Sequence, residues 1–101
     1  MRYLTTLRNQ HGELAAICRR HHVRELSVFG SATTPAFRED SDLDLLVDFA
    51  SDAPIGLIEL GKLQDELEVL FQRRVDLVPK RDLKLFVRDG ILSQAEPLYA
   101  A

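Results

Sequence analysis

The sequence predicts a single α/β domain in which helices pack against a small β-sheet. Two observations support this prediction. Apolar residues recur at helical spacing in two long segments, and short segments rich in apolar and β-branched residues lie between them. Because predicted helices and strands alternate along the chain, we expect helices layered on a sheet. The length of 101 residues suits one compact domain over residues 1–101.

The predicted helices are recognised by apolar stripes and by residues that start helices. In the longest one, leucines and a phenylalanine between residues 60 and 71 form the stripe. Asp52 is a candidate cap for this helix, and Pro54 fits its first turn. The predicted helices cover residues 3–21, from 51–54 to about 71, and, in one or two pieces, 83–87 and 91–99.

Three strands are predicted, and the second has the clearest pattern. In residues 42–49, Leu43, Leu45 and Val47 alternate with residues of the opposite face, as in a strand with one buried face. We expect a short helix or turn and then a loop between the first two strands, at residues 32–41. The strands are predicted at residues 25–29, 42–49 and 74–78.

Composition excludes several classes of protein. No apolar run reaches the length of a membrane span. The net charge of −3 argues against an extended nucleic-acid interface, which requires a basic face. The single cysteine, Cys18, cannot form an internal disulfide, so the cytoplasm is the expected compartment.

Two carboxylates two residues apart are the first candidate site. Asp42 and Asp44 would lie on one face of the second strand, with about 7 Å between them along the backbone. Like charges this close repel each other, and a hard divalent cation such as Mg²⁺ relieves the repulsion. The pair is therefore either a metal site or an exposed acidic edge.

A second candidate site is the pair Gly30-Ser31 at the end of the first strand. Glycine allows the backbone to approach a ligand closely, and free N–H groups at the start of a following helix attract anions. The serine hydroxyl adds another donor. The alternative is an ordinary turn, but a carboxylate pair at this distance favours a site for a metal–nucleoside triphosphate.

Asp76 is a third carboxylate of interest, because it lies inside a predicted strand between apolar residues. If that strand neighbours residues 42–49, Asp76 would complete a cluster with Asp42 and Asp44. The alternative is a charge on an edge strand that pairs with Arg73 or Arg74. Asp48 is expected to be structural or exposed.

These residues resemble a known signature. Gly30-Ser31, ten intervening residues and Asp42-Leu43-Asp44 resemble the DNA polymerase β-like nucleotidyltransferases, and Val28 to Val47 is similar to the minimal nucleotidyltransferases, or MNT proteins. The resemblance implies a mixed sheet, Mg²⁺, and ATP as substrate, with Asp76 as the third carboxylate. It also implies an antitoxin paired with a HEPN ribonuclease toxin, since some MNT proteins transfer AMP to a tyrosine of the toxin.

One departure from the family pattern concerns the triphosphate contacts. Where the family commonly has an arginine-glycine pair, this chain has Thr34 and Pro35, and Arg38 is the candidate replacement. We therefore expect Gly30, Ser31 and Arg38 to bind the nucleotide. In this hypothesis Asp42 and Asp44 hold Mg²⁺ during AMP transfer.

Two rival functions remain open at this point. The chain could be an antitoxin that only binds its toxin, or a transferase that modifies a small molecule or an RNA end. A single domain has little room for an acceptor-binding unit of its own, which favours a partner protein that presents the hydroxyl. The sequence leaves open whether the chain forms homo-oligomers or hetero-oligomers.

Overall fold

The computed structural model describes residues 10–50 and 55–101. Over these residues, helices and strands alternate as the sequence predicts. Two short 3₁₀ helices, Gly30–Thr33 and Lys80–Asp82, follow the first and third strands. The helices are α1 (His11–Arg20), α2 (Leu57–Phe71) and α3 (Leu85–Gln94), and the strands are β1 (Val23–Phe29), β2 (Leu43–Phe49), β3 (Val75–Pro79) and β4 (Glu96–Ala100).

The strands form one mixed sheet in the order β3-β2-β1-β4. Strand β1 is antiparallel to β2 and to β4, whereas β2 and β3 are parallel. Parallel neighbours require a crossover connection, and α2 provides it. The predicted α/β class and the mixed sheet are thereby confirmed.

The core lies between one face of the sheet and helices α1 and α2. Strand β2 contributes alternate residues to this face, as predicted, and the helices contribute their apolar stripes. The opposite face of β2 carries Asp44, Leu46 and Asp48, and we call it the open face. The core includes Leu14, Ile17, Cys18, Leu26, Val28, Leu43, Leu45, Val47, Leu63, Leu67, Phe71 and Leu77.

Helix α1 ends close to the predicted position. Its last residue is Arg20, and His21 follows it as the C-cap. The side chains of Arg20 and His21 both bond to Glu66 of α2, which ties the two helices together. Residues 3–9 of the predicted helix lie outside the described residues.

Helix α2 begins later than predicted. Its N-cap is Gly56, whose backbone N–H donates to Glu59 Oε2 at 3.1 Å, so the first turn closes on this residue. The predicted cap, Asp52, and Pro54 lie outside the described residues. The helix ends at Phe71, as predicted, before Gln72 in the left-handed conformation with φ 54°.

The C-terminal prediction is wrong in part, because only residues 91–94 of the predicted helix 91–99 are helical. Helix α3 ends at Gln94, and residues 96–100 form β4 along the edge of the sheet beside β1. Pro97 is compatible with an edge strand, where no hydrogen bond from its nitrogen is needed. The pairing buries Leu98 and Tyr99. No helix in the described ranges is long and apolar enough to cross a membrane.

Candidate active site

The site is built around Asp44, the second residue of β2. The parallel register of β2 and β3 places Asp44 directly beside Asp76, and the antiparallel register places it beside Phe29, the last residue of β1. The sequence predicts that Asp76 joins the carboxylate cluster if its strand neighbours β2, and in the structure it does. Asp42 immediately precedes β2.

The charges of the carboxylates act on one another. Burial raises the pKa of Asp44, and the negative charges of Asp76 and then Asp42 raise it further. A carboxylate that is partly desolvated and faces two like charges is stabilised by a cation. The electrostatics at Asp44 are therefore those of a cation-binding position.

Asp42 is exposed, and its Oδ1 lies 4.0 Å from Nε of Arg74, at the outer limit of an ion pair. A contact of this kind between exposed groups is weak, typically about 0–1 kcal/mol, so the side chain can reorient at little cost. Asp76 is also exposed. Arg74, one of the two arginines expected as a partner of Asp76, thus lies beside Asp42 instead.

The donor set fits a hard divalent cation, because Asp42, Asp44 and Asp76 offer only carboxylate oxygens. They are not preassembled: within residues 10–50 and 55–101, no three side chains of Asp, Glu, His or Cys are placed so that they could hold a metal ion together. The three residues therefore fit a cation through the chemistry of their oxygens and through the strand register that places Asp44 beside Asp76. The metal role of these three residues stays a prediction.

Gly30 lies against Asp44 and has a conformation that only glycine adopts easily. Its φ is +70°, and a Cβ added there would overlap Oδ2 of Asp44. Its carbonyl accepts a hydrogen bond from Thr33 Oγ1 at 2.8 Å. The absence of a side chain at residue 30 therefore allows the turn after β1 to approach the carboxylate.

The turn at Ser31 is fixed by Thr34. The carbonyl of Ser31 accepts from the backbone N–H of Thr34 at 3.0 Å and from its hydroxyl at 2.8 Å. The predicted short helix or turn is a 3₁₀ helix that begins at Gly30, two residues before the predicted segment. Thr34, which departs from the family pattern, thus has a structural task in this chain.

Arg73 has a structural role that the sequence did not predict. Its Nη1 donates to the carbonyls of Arg38 at 3.0 Å and Ser41 at 2.7 Å, and its guanidinium carbon lies 4.4 Å from the ring centroid of Phe37. These contacts hold the loop that carries the exposed Arg38. In the sequence, the signal for this role is the pair Arg73-Arg74 before β3, which predicts a partner for Asp76 and not a contact with the loop.

Asp48 lies on the open face, four residues after Asp44. It is half-buried and its Oδ2 accepts from Arg24 Nη2 at 2.6 Å and Nε at 3.1 Å. This ion pair gives Asp48 the structural role expected of it. It joins β1 and β2 at the end of the sheet away from Gly30.

A family model described as a nucleotidyltransferase domain matches residues 12–96 of the chain. This range includes Gly30, Ser31 and all three candidate carboxylates. The chain belongs to this nucleotidyltransferase family, and the predicted enzyme class is confirmed.

Individual relatives narrow the family. The protein adenylyltransferase MntA of Thermococcus cleftensis is 43% identical over 75 residues, 74% of either chain. A solved structure provisionally assigned as a minimal nucleotidyltransferase is 40% identical, with a TM-score of 0.78, and the match covers 94% of this chain and 95% of that chain. The resemblance to the minimal nucleotidyltransferases is thereby confirmed.

A more distant likeness shows the fold in a complex. In the structure of a tri-AMPylated Shewanella oneidensis HEPN toxin with an MNT antitoxin, the matched chain is 18% identical, with a TM-score of 0.67. The match covers 94% of this chain and 73% of that chain. At this identity the likeness shows that the two chains share a fold.

Proposed function

We propose that this nucleotidyltransferase is an antitoxin that transfers AMP from ATP to a tyrosine hydroxyl of a cognate HEPN ribonuclease toxin, with Mg²⁺ as cofactor. The observation that carries the proposal is the placement of Asp44 between Asp76 and the closely approaching Gly30. The protein adenylyltransferase MntA and the HEPN toxin complex support the identity of the group and of the partner.

The carboxylates have distinct tasks in this proposal. Asp42 and Asp44 would hold Mg²⁺, which, when bound, orients the phosphates and neutralises their charge. Asp76 would help hold a second metal ion or act as general base towards the acceptor hydroxyl. The partial burial of Asp44 supports its role, since electrostatic interactions strengthen where water is excluded.

Gly30 and Ser31 would position the triphosphate. The turn that they form is next to Asp44, so it can place the leaving pyrophosphate beside the carboxylates. Arg38 would add a positive charge to the triphosphate from the loop held by Arg73. Because little covalent chemistry falls to the protein, positioning and electrostatics would provide most of the catalysis.

The chemical step is a substitution at the α-phosphorus of ATP. The acceptor oxygen forms a bond to this phosphorus while the bond between the phosphorus and the bridging α–β oxygen breaks. Pyrophosphate leaves with that oxygen, and the hydroxyl proton passes to Asp76 or to water. The toxin would supply the hydroxyl.

The compartment proposed for this reaction is the cytoplasm. Cys18 is free and buried, and burial raises the pKa of its thiol to about 12. A single cysteine without an internal disulfide partner is ordinary in the reducing cytoplasm, where disulfides are rare.

The test is co-expression of the chain with a HEPN ribonuclease from the same genome, followed by mass spectrometry of the purified toxin. We expect the toxin to gain the mass of one or more AMP groups and to lose ribonuclease activity. Asp42→Asn and Asp44→Asn should abolish the mass gain and leave the toxin active while both proteins still associate. The exposed Asp65→Asn, on the far side of α2, is the matched control. An unmodified, inactive toxin in a stable complex would instead establish the binding-only antitoxin.

A further inference from the structure

A cavity of about 130 Å³ lies on the open face of the sheet, with Leu92 of α3 among its lining residues. Leu46 of β2 and Leu92 of α3 contribute apolar walls, and Lys80 lies at one side. A cavity near 150 Å³ accommodates a benzene ring, so this space takes one ring of a planar group, and a second fused ring needs additional room. A second cavity of about 260 Å³ shares Asp48 and Lys80 with the first and extends the room available beyond it.

Ser27 of β1 lines this cavity and is the only polar residue in the described ranges that is buried, with 6% of its surface exposed. Its hydroxyl makes no hydrogen bond to any residue in 10–50 or 55–101. A buried hydroxyl without a partner is costly, and in native proteins it usually has one. The cavity therefore presents a polar group that a ligand can satisfy.

The position of the cavity relative to Asp44 indicates which part of a ligand it takes. Along the open face, Gly30 lies at one side of Asp44, and Leu46 and Asp48 follow on the other side. At about 3.3 Å per residue, Asp48 lies roughly 13 Å from Asp44. Two rings could occupy the cavity, the tyrosine ring of the acceptor or the base of the nucleotide. The hydroxyl of the tyrosine attacks the α-phosphorus, so that ring must lie against the carboxylates. The base is separated from that phosphorus by the ribose. The distance favours the base.

Of the four polar side chains that line the cavity, all but Glu25 match the edge of an aminopurine. Both hydrogen bonds from Arg24 end on Oδ2 of Asp48, which leaves Oδ1 to accept from an exocyclic amine. Lys80 and the hydroxyl of Ser27 can donate to a ring nitrogen. Adenine presents an amine and a ring nitrogen side by side on this edge.

We propose that the cavity bounded by Ser27, Leu46, Asp48, Lys80 and Leu92 binds the adenine base of the nucleoside triphosphate. The inference rests on the proposed function, since it takes the triphosphate to lie beside Gly30 and Asp44. It assigns base selectivity to residues outside the carboxylate site.

The test compares ATP with inorganic tripolyphosphate, which has neither ribose nor base, by calorimetry in the presence of Mg²⁺. Lys80→Ala and Ser27→Val should each weaken ATP binding by about tenfold, the effect expected when a buried site can no longer donate one hydrogen bond to its ligand. Both variants should bind tripolyphosphate as the wild type does. Ser27→Ala is a second variant, which removes the same hydroxyl without adding bulk to the strand. Lys84→Ala, at an exposed position outside the cavity, is the control and should bind both ligands normally.

A second measurement concerns the amine. The wild type should bind ATP more tightly than inosine triphosphate, which has a carbonyl in place of the amine, and Asp48→Asn should reduce this preference. Unchanged ATP affinity in the Ser27 and Lys80 variants, or equal weakening for ATP and tripolyphosphate, would overturn the assignment. Unchanged ATP affinity with a raised KM for the toxin would show that the cavity holds the acceptor instead.

The same variants separate this inference from the proposed function. If ATP binds through the cavity but no AMP reaches the toxin, only the proposed function fails. If AMP transfer at saturating ATP persists and the cavity variants bind ATP normally, only the inference fails. A wild-type chain that binds tripolyphosphate and ATP equally well would also refute the inference, because the base would then add nothing to binding.

Discussion

The Cα of Gly30 lies so close to the carboxylate of Asp44 that a Cβ at residue 30 would overlap Oδ2. The last residue of β1 pairs with Asp44, so the turn begins at the level of the carboxylate. The glycine of Gly30-Ser31 and the second carboxylate of Asp42-Leu43-Asp44, the two halves of the sequence signature, are thus in direct contact. This contact makes the backbone after β1 part of the same site as the carboxylates.

Gly30→Ala should destabilise the protein and abolish AMP transfer. The left-handed φ of +70° costs a non-glycine residue about 1–2 kcal/mol, and the overlap with Asp44 adds to this cost. Urea unfolding and a transfer assay would measure both effects. Gly61→Ala, inside α2 with open space around it, should instead stabilise the protein by up to about 1 kcal/mol. Equal effects of the two substitutions would contradict the role given to Gly30.

Asp44 should make the metal-free protein less stable as the pH rises. Its pKa is raised in the folded protein above the ordinary value of 3.8, so the folded state binds the proton more tightly than the unfolded state does. This group therefore favours folding when it is protonated, and that contribution is lost as the pH rises from about 3.8 through the higher folded pKa. Above that pKa the charged carboxylate carries its full cost.

Asp44→Asn removes this cost, so its stability relative to the wild type should increase between acid and neutral pH. Urea unfolding of both proteins in a chelating buffer across this range would measure the difference. Mg²⁺ should reduce the advantage of the variant, because the cation stabilises the charged carboxylate of the wild type. A difference that does not change with pH would show that Asp44 is not titrating in this way.

Arg38→Ala should weaken ATP binding by on the order of 1–3 kcal/mol if Arg38 replaces the arginine missing at Thr34. Calorimetry with ATP and Mg²⁺ would measure the change. Arg19→Ala, at an exposed position of α1, is a control of equal charge. If Arg38→Ala and Arg19→Ala bind ATP alike, then Arg38 does not replace the family's arginine, and Thr34 marks its true absence.

Arg73→Ala should loosen the loop that carries Arg38. It removes two hydrogen bonds to backbone carbonyls and the contact with Phe37, for which we expect a loss of about 1–3 kcal/mol in stability. Hydrogen exchange should rise in residues 36–41 and remain unchanged in β2. Arg73→Lys keeps the charge but not the planar fork, so it should rescue only part of the loss. Full rescue by lysine would show that charge alone matters.

Local sequence patterns were sufficient to identify several elements. Strand β2 was predicted to within one residue, because among regular structures only a β-strand places alternate side chains on one buried face. The end of α2 at Phe71 was also predicted, since its leucine stripe stops there. The spacing from Gly30-Ser31 to Asp42 and Asp44 led to the correct family, because this chemistry requires these residue types close together.

The C-terminal strand, β4, could not be predicted from a local sequence pattern. Residues 96–100 contain a proline, and two of their apolar side chains are adjacent, so their pattern does not alternate as in β2. They form a strand because β1 offers a free edge, and pairing with it buries Leu98 and Tyr99. That contact joins segments about 70 residues apart, and no local pattern contains it.

The sequence by itself determined the residue types of the site and the class of fold, because both depend on periodicity and spacing within short segments. Tertiary structure decided that Asp76 lies beside Asp44, that Arg73 holds the loop of Arg38, and that Ser27 lines a cavity on the open face. Each of these relations joins different elements, and the free energy that selects it comes from strand pairing and burial across the whole sheet. Such terms are absent from any single segment, which is why they appear only in the folded chain.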